Sequence, residues 1–227
     1  MTIDVVIPAR NEATTVAAVV EAALACRYAR EVIVVDDGST DGTADAALAA
    51  GAKVIHRQPW EPGSKAHAME AGVAATDADA ILFVDADCLN LTSEHLDDIC
   101  RPYVEGRAAM SLGTFDYGFW NWLVLHSPPT TGERIIPRWV FEAIPPEKLD
   151  GFTIEYIIGG VVAERRLPVT ARVMKGVTHR TKRDKFGPLQ GTLETLRMFG
   201  QVIGVPLRGL VRWRAYWFYL QDLTIEG

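Results

Sequence analysis

ILFVDADCLN, residues 81–90, is the stretch on which the fold turns. Four apolar residues, Ile81, Leu82, Phe83 and Val84, run into two carboxylates one alanine apart. A strand apolar at every position belongs in a sheet covered on both faces, as in parallel sheets packed between helices. Residues i and i+2 of a strand point to the same side, so a strand carried through to Asp87 aims Asp85 and Asp87 at one spot. Like charges held together repel unless a cation joins them, and Mg²⁺ in particular is held by one or two carboxylates with substrate phosphates and waters. The plainer reading of Asp87 is a helix cap or a turn residue.

The same pattern recurs upstream. IDVVIP (3–8) predicts a strand, and the helical segment after it places Val16, Val19, Val20, Ala23 and Leu24 at helical spacing. EVIVVDD (31–37) predicts a second strand, DGTADAALAAGA a helix stopping at Gly51, and KVIHR a third strand. A helix is expected over 65–75 and a strand over 80–85. Strands alternating with helices give an α/β fold, a mostly parallel sheet with helices on both faces in a single domain. Ligands of such sheets bind beyond the carboxyl ends of the strands, which puts residues 8–12, 36–41 and 85–88 on one rim. Downstream, 113–131 is aromatic-rich and reads as a loop with a short helix inside it. Helices are expected near 133–144, 153–163 and 189–203, and a strand near 168–174.

Composition excludes several classes. The chain has 227 residues, 48% hydrophobic and 23% charged, enough for one large soluble domain. Cys26, Cys88 and Cys100 show no CxxC or Cys/His spacing, which favours reduced thiols over a disulfide frame or a zinc site. The opening MTIDVVIPAR reads as a strand, not a signal peptide, so a cytoplasmic setting is expected, with the inner face of the membrane as an alternative. Lys and Arg number 11 against 24 Asp and Glu in residues 1–163, 12 against 3 in 164–214, and none against 2 in the tail. The net charge of −6 therefore hides a basic segment suited to phosphates or an anionic membrane, or simply to solvent. Nucleic acid is not expected as a partner.

On the predicted rim, VVDDGSTDGT (34–43) offers a carboxylate and backbone N–H groups to a base or ribose edge; its plainer reading is a solvated turn. Arg10 and Glu12 follow the first strand. Lys65 follows Pro62, Gly63 and Ser64 at a helix start, where a cation could meet a phosphate. The patterns GxxxxGK[ST] and GxGxxG are missing, which argues against P-loop and dinucleotide sites.

IPARNE, VVDDGSTDGT, PGSKAHAMEAG and LFVDADC, in this order over residues 3–90, resemble the nucleotide-sugar half of a family 2 glycosyltransferase with the GT-A fold. The resemblance implies that Pro8, Ala9, Glu12 and Asp37 contact the base and ribose, with Arg10 and Ser39 in the same site and Lys65 near the nucleotide. It makes Asp85-Ala86-Asp87 the DxD motif that binds the diphosphate and a divalent metal, Mn²⁺ or Mg²⁺. TGERIIPRWVFEAIP (131–145), DGFTIEYII (150–158) and GVTHRTKRDKFG (176–187) are similar to acceptor-side segments of polyprenyl-phosphate sugar synthases and glucosyl-3-phosphoglycerate synthases. By that likeness Glu155 joins Asp87 as a catalytic candidate, His179 completes the metal shell, and Arg134, Arg180, Lys182 and Arg183 serve the acceptor or the diphosphate. The chain then divides into a nucleotide-sugar half (1–112), an acceptor half (113–188) and a helical C-terminal segment (189–227).

The implied reaction is metal-dependent transfer of a sugar from a UDP- or GDP-sugar to a phosphate-bearing acceptor, a polyprenyl phosphate first. A small phosphorylated hydroxyl acceptor is the alternative, and a non-catalytic sugar-nucleotide-binding accessory protein is the reading from a different class. A hydroxyl acceptor needs a base, for which Glu155 is the candidate; a phosphate does not. VPLRGLVRWRAYWFYL (205–220) is too short and too charged to span a membrane. Its arginines beside Trp213, Trp217, Phe218 and Tyr219 suit a helix lying on a membrane surface. The alternative is a helix packed on the core or on a second copy in a homodimer.

Overall fold

The computed structural model describes residues 1–57, 64–126, 131–149, 151–179 and 212–226. The first half follows the expected alternation: β1 (Ile3–Ala9), α1 (Val16–Leu24), β2 (Val32–Asp36), α2 (Thr43–Ala49), β3 (Lys53–His56), α3 (Lys65–Ala74) and β4 (Ala80–Phe83). A two-residue strand β5 (Cys88–Leu89) and α4 (Ser93–Val104) come next. The second half supplies β6 (Met110–Phe115), α5 (Asn121–Leu125), β7 (Arg134–Pro137), α6 (Arg138–Glu142), α7 (Ile154–Glu164), β8 (Val169–Met174), β9 (Thr178–His179), α8 (Trp213–Asp222) and β10 (Leu223–Glu226).

One sheet collects strands from both halves, in the order β10-β8-β6-β7-β4-β1-β2-β3. Its pairings are parallel except at β7, which runs antiparallel to both β4 and β6. β1 lies inside the sheet, between β4 and β2, and little in it needs water. Val5, Val6 and Ile7 are fully buried, and the one charge, Asp4, is held by Arg30 at 2.8 and 3.0 Å. Alternate residues face opposite layers. Val6, Ile33 and Phe83 pack with α3, α6, α7 and α8, and Val5, Ile7 and Val34 pack with α1, α2 and α4. Each fully buried side chain of this size contributes about 1.5–3 kcal/mol of transfer free energy. Helices thus cover both faces. The three cysteines are free and buried.

Three expectations need correction. The helix near 133–144 begins only at Arg138, because 134–137 form β7. Ile135 and Ile136 fill the slot between β4 and β6, and the edges of those strands supply hydrogen bonds that outweigh helical propensity. Residues 110–115, not read as a strand, form β6, and the 112/113 division passes through it. The C-terminal segment is not helical throughout: β10 follows α8 directly and adds to β8, with Glu226 ion-paired to Arg107 and Arg172. The helix expected near 189–203 lies outside the described residues.

Candidate functional site

Strand order runs 3-2-1 to one side of β1 and continues with β4 on the other, so the crevice at the carboxyl ends of β1 and β4 is the switch point of the sheet. The segments after β1, β2 and β4 meet there. The first two are laced together. Asn11, at φ 56°, donates its backbone N–H to Ser39 Oγ at 3.0 Å and accepts from the Thr40 N–H at 2.9 Å. The Glu12 N–H donates to Thr43 Oγ1 at 2.8 Å. Ser39, expected at the nucleotide, fixes the β1 loop. Pro8 and Ala9 end β1, and Ala9 O accepts from the Asp37 N–H at 2.8 Å. Asp37 is buried beside Arg57, with Arg10 at 3.9 Å. Burial pushes its carboxyl up while the two guanidiniums oppose the shift.

After β4 the chain does what strand alternation did not foresee. The ladder ends at Val84, whose N–H reaches Val6 O at 3.2 Å, and Asp85-Ala86-Asp87 lies on a turn between β4 and β5. The turn is held from beneath by Glu133, a carboxylate with no solvent exposure that no sequence motif singles out. Glu133 Oε1 accepts from the Asp85 N–H at 3.4 Å and from Cys88 Sγ at 3.1 Å, and Oε2 accepts from Thr131 Oγ1 at 2.6 Å. Burial, then the nearby Asp85 charge, push its pKa up to about 7. Gly132 is the close-approach position, since a Cβ there would collide with the Asp85 carboxylate. The signal available in sequence was Thr131-Gly132-Glu133-Arg134, four polar or small residues just before the apolar Ile135-Ile136.

Lys65 joins the two halves. Its ammonium sits 2.5 Å from Asp85 Oδ1 and 2.6 Å from Glu155 Oε1. It opens α3, where a positive charge stands at the unfavourable end of the helix dipole. Burial also works against the ammonium, yet the two carboxylates outweigh it and raise the Lys65 pKa. Glu155, in the first turn of α7, is buried, and that burial raises its carboxyl despite Lys65 and Arg134. Arg134, expected at the acceptor or diphosphate, is wholly buried instead. Its guanidinium donates to Glu155 O at 2.8 Å and to Thr131 O, so it braces the site from behind.

His179 faces Cys88 across the β5–β9 pair and stacks at 4.7 Å on Phe115, which brings it to the edge of the Asp85–Asp87 turn. Among the described residues no group of three or more His, Cys, Asp or Glu is already arranged around a metal position. The two carboxylates of the turn are the ligand type that a hard divalent cation takes together with substrate phosphates and waters, and Asp85 has already drawn in an ammonium. Arg180, Lys182 and Arg183 lie outside the described residues, as do Pro62 and Gly63.

The model of the family described as "Glycosyl transferase family 2" matches residues 4–166. A curated relative, glucosyl-3-phosphoglycerate synthase of Mycobacterium tuberculosis, is 40% identical over 122 residues, which cover 50% of this chain and 37% of that protein. The 4,4'-diaponeurosporenoate glycosyltransferase of Staphylococcus aureus is 33% identical over 102 residues, covering 44% of this chain and 27% of that one. These alignments span well under half of either relative's length. Among solved structures, the M. tuberculosis synthase in complex with Mn²⁺, uridine diphosphate and glucosyl-3-phosphoglycerate superposes with a TM-score of 0.76 at 26% identity, covering 91% of this chain and 79% of that one.

Proposed function

The chain belongs to glycosyl transferase family 2, and from that premise we propose that it transfers a sugar from a nucleoside-diphosphate sugar to a phosphate-bearing acceptor, with a polyprenyl phosphate as the acceptor class. The observation that carries this reading is the meeting of Lys65, Asp85 and Glu155 at the switch-point crevice, with Asp87 on the same turn. In this assignment the segments up to α4 bind the donor and those from β6 onward the acceptor. Asp37 and the interlaced loops after β1 and β2 hold the base and ribose. Asp85 and Asp87, with His179 at the edge, would hold a divalent cation, which would supply positive charge to the leaving diphosphate. Lys65 is the second cation within reach of that diphosphate, and in a half-buried site its charge acts with little screening.

The sugar passes through an oxocarbenium-like transition state as the bond to the diphosphate breaks. A phosphate acceptor is already an anion at neutral pH and needs no base, so Glu155 then serves to position Lys65. A small phosphorylated hydroxyl acceptor is the second reading, favoured by the likeness to the M. tuberculosis synthase; there Glu155 would take the hydroxyl proton. A polyprenyl phosphate lies in a bilayer, so the first reading requires work at a membrane surface. The outward-facing Trp213 and Trp217 of α8 support it.

The test is thermal unfolding with UDP, GDP and their sugar conjugates, with and without Mn²⁺, beside Asp87→Ala. A ligand bound only by the native state at a hundredfold excess over its Kd stabilises by about 2.7 kcal/mol. A Mn²⁺-dependent rise with one nucleotide, lost in Asp87→Ala, is expected. Transfer from that donor to a polyprenyl phosphate and to phosphoglycerate, assayed side by side, then decides the acceptor. No shift with any nucleotide would overturn the donor assignment, and a shift without transfer to either acceptor would favour an accessory protein.

A further inference from the structure

Aromatic side chains stand outside the protein in one connected tract. Phe119 is 92% exposed, Trp122 68% and Trp213 70%, and Trp120 and Trp217 are also exposed. The two pieces, around Trp122 and around Trp217, are far apart in sequence but joined in space. Tyr216 of α8 donates its hydroxyl to His126 O at 2.6 Å, and the His126 ring stacks on Trp122 at 4.6 Å. The tract leads inward as well. Phe119 meets Trp120 edge-on at 5.7 Å, Tyr117 just before them meets Phe115 at 6.5 Å, and Phe115 stacks on His179 at the rim of the candidate site. Arg212 and Arg214 are exposed at the start of α8, beside the outward Trp213 and Trp217.

We propose that Phe119, Trp120 and Trp122 form, with Trp213 and Trp217, a two-part surface that seats this protein on an anionic bilayer with the candidate site facing the lipid. Two features select a bilayer as occupant. The exposed groups are Trp and Phe rather than Leu and Ile, the residue types that favour the headgroup boundary of a membrane. Beside Trp213 and Trp217 the flanking charges are Arg212, 3.9 Å from Glu164, and Arg214, complementary to anionic headgroups as on helices that lie in that boundary. Continuity with His179 gives the seat a use: an acceptor phosphate can enter the site while its hydrocarbon stays in the bilayer. This use rests on the lipid-phosphate reading above; the seat itself does not.

The experiment is sedimentation of the full chain with vesicles of phosphatidylcholine alone and of phosphatidylcholine with phosphatidylglycerol, with tryptophan quenching by brominated lipid. Binding and quenching are expected on the anionic vesicles, weak on the neutral ones. Combined Phe119→Ser, Trp120→Ser and Trp122→Ser should lower the bound fraction by about fivefold or more, since each removes apolar area that binding buries. Trp213→Ser with Trp217→Ser should do the same. An unchanged melting temperature in the exposed single variant Phe119→Ser shows that folding is intact. No sedimentation of the parent chain, binding indifferent to these side chains, or a stable dimer that buries the tryptophans in light scattering would overturn the proposal. Failure of the donor reading would show separately, as loss of the nucleotide-induced thermal shift with vesicle binding unaffected.

Discussion

The Lys65 ammonium lies 2.5 Å from Asp85 Oδ1, so the first aspartate of the Asp85-Ala86-Asp87 turn already holds a cation that belongs to the protein. The same ammonium neutralises Glu155, and removing it leaves a buried carboxylate with only the Arg134 charge to offset it. Lys65→Ala in metal-free protein should therefore cost about 3 kcal/mol, as breaking buried pairs does. Mn²⁺ should recover more stability in Lys65→Ala than in the parent, because it meets Asp85 without an ammonium to displace. Urea unfolding with chelator and with Mn²⁺ measures both, and an equal metal effect in the two proteins would refute the exchange.

Gly132→Ala places a methyl group against the Asp85 carboxylate. The fold should persist while metal-dependent nucleotide binding weakens about tenfold or more, equivalent to about 1.4 kcal/mol. Titration of the nucleotide in saturating Mn²⁺, followed by the melting temperature, reads this. Unchanged affinity would mean that Asp85 has room to move.

Glu133 carries a pH signature. Its pKa is pushed up to about 7 in the fold, against about 4.3 for an unfolded Glu. Between those values the native state binds the proton and the unfolded state does not, so this group's contribution is full below about pH 4.3 and falls as pH rises toward 7. Glu133→Gln in chelator should flatten the decline of stability between about pH 5 and 7 and leave the variant more stable than the parent at about pH 8, since each tenfold difference in proton affinity between the two states is worth about 1.4 kcal/mol. A parallel pH profile in the two proteins would assign the proton elsewhere.

Glu155→Gln separates the acceptor classes. With a phosphate acceptor turnover should stay within about tenfold of the parent, whereas loss of a general base typically costs about 10²–10⁴-fold. Steady-state kcat with a polyprenyl phosphate and with phosphoglycerate decides it.

What the sequence disclosed and what it withheld divide along physical lines. Residues 3–9, 32–36 and 80–83 are apolar on both faces and end in Pro, Asp or Gly signals, so strand, sheet type and rim could all be read locally. β7 could not. RIIPRWVFEAI carries apolar residues at helical as well as strand spacing, and 134–137 are a strand only because β4 and β6 leave a slot for them. The site shows the same split. Lys65 and the aspartates announce themselves, but Glu133 sits beneath the turn by virtue of that slot, and the burial of Arg134 follows from the same pairing.

β7 also bears on how the chain assembles during synthesis. β4 pairs with β1 on one side, but its other edge is closed only by residues 134–137, far later in the chain. Until they emerge from the ribosome, Ala80–Phe83 presents an open, wholly apolar edge, the kind of template on which nascent chains aggregate. Glu133, directly before that closing strand, arrives with it. The half that carries the aspartates therefore completes its sheet edge and receives the carboxylate beneath its turn in one late docking event.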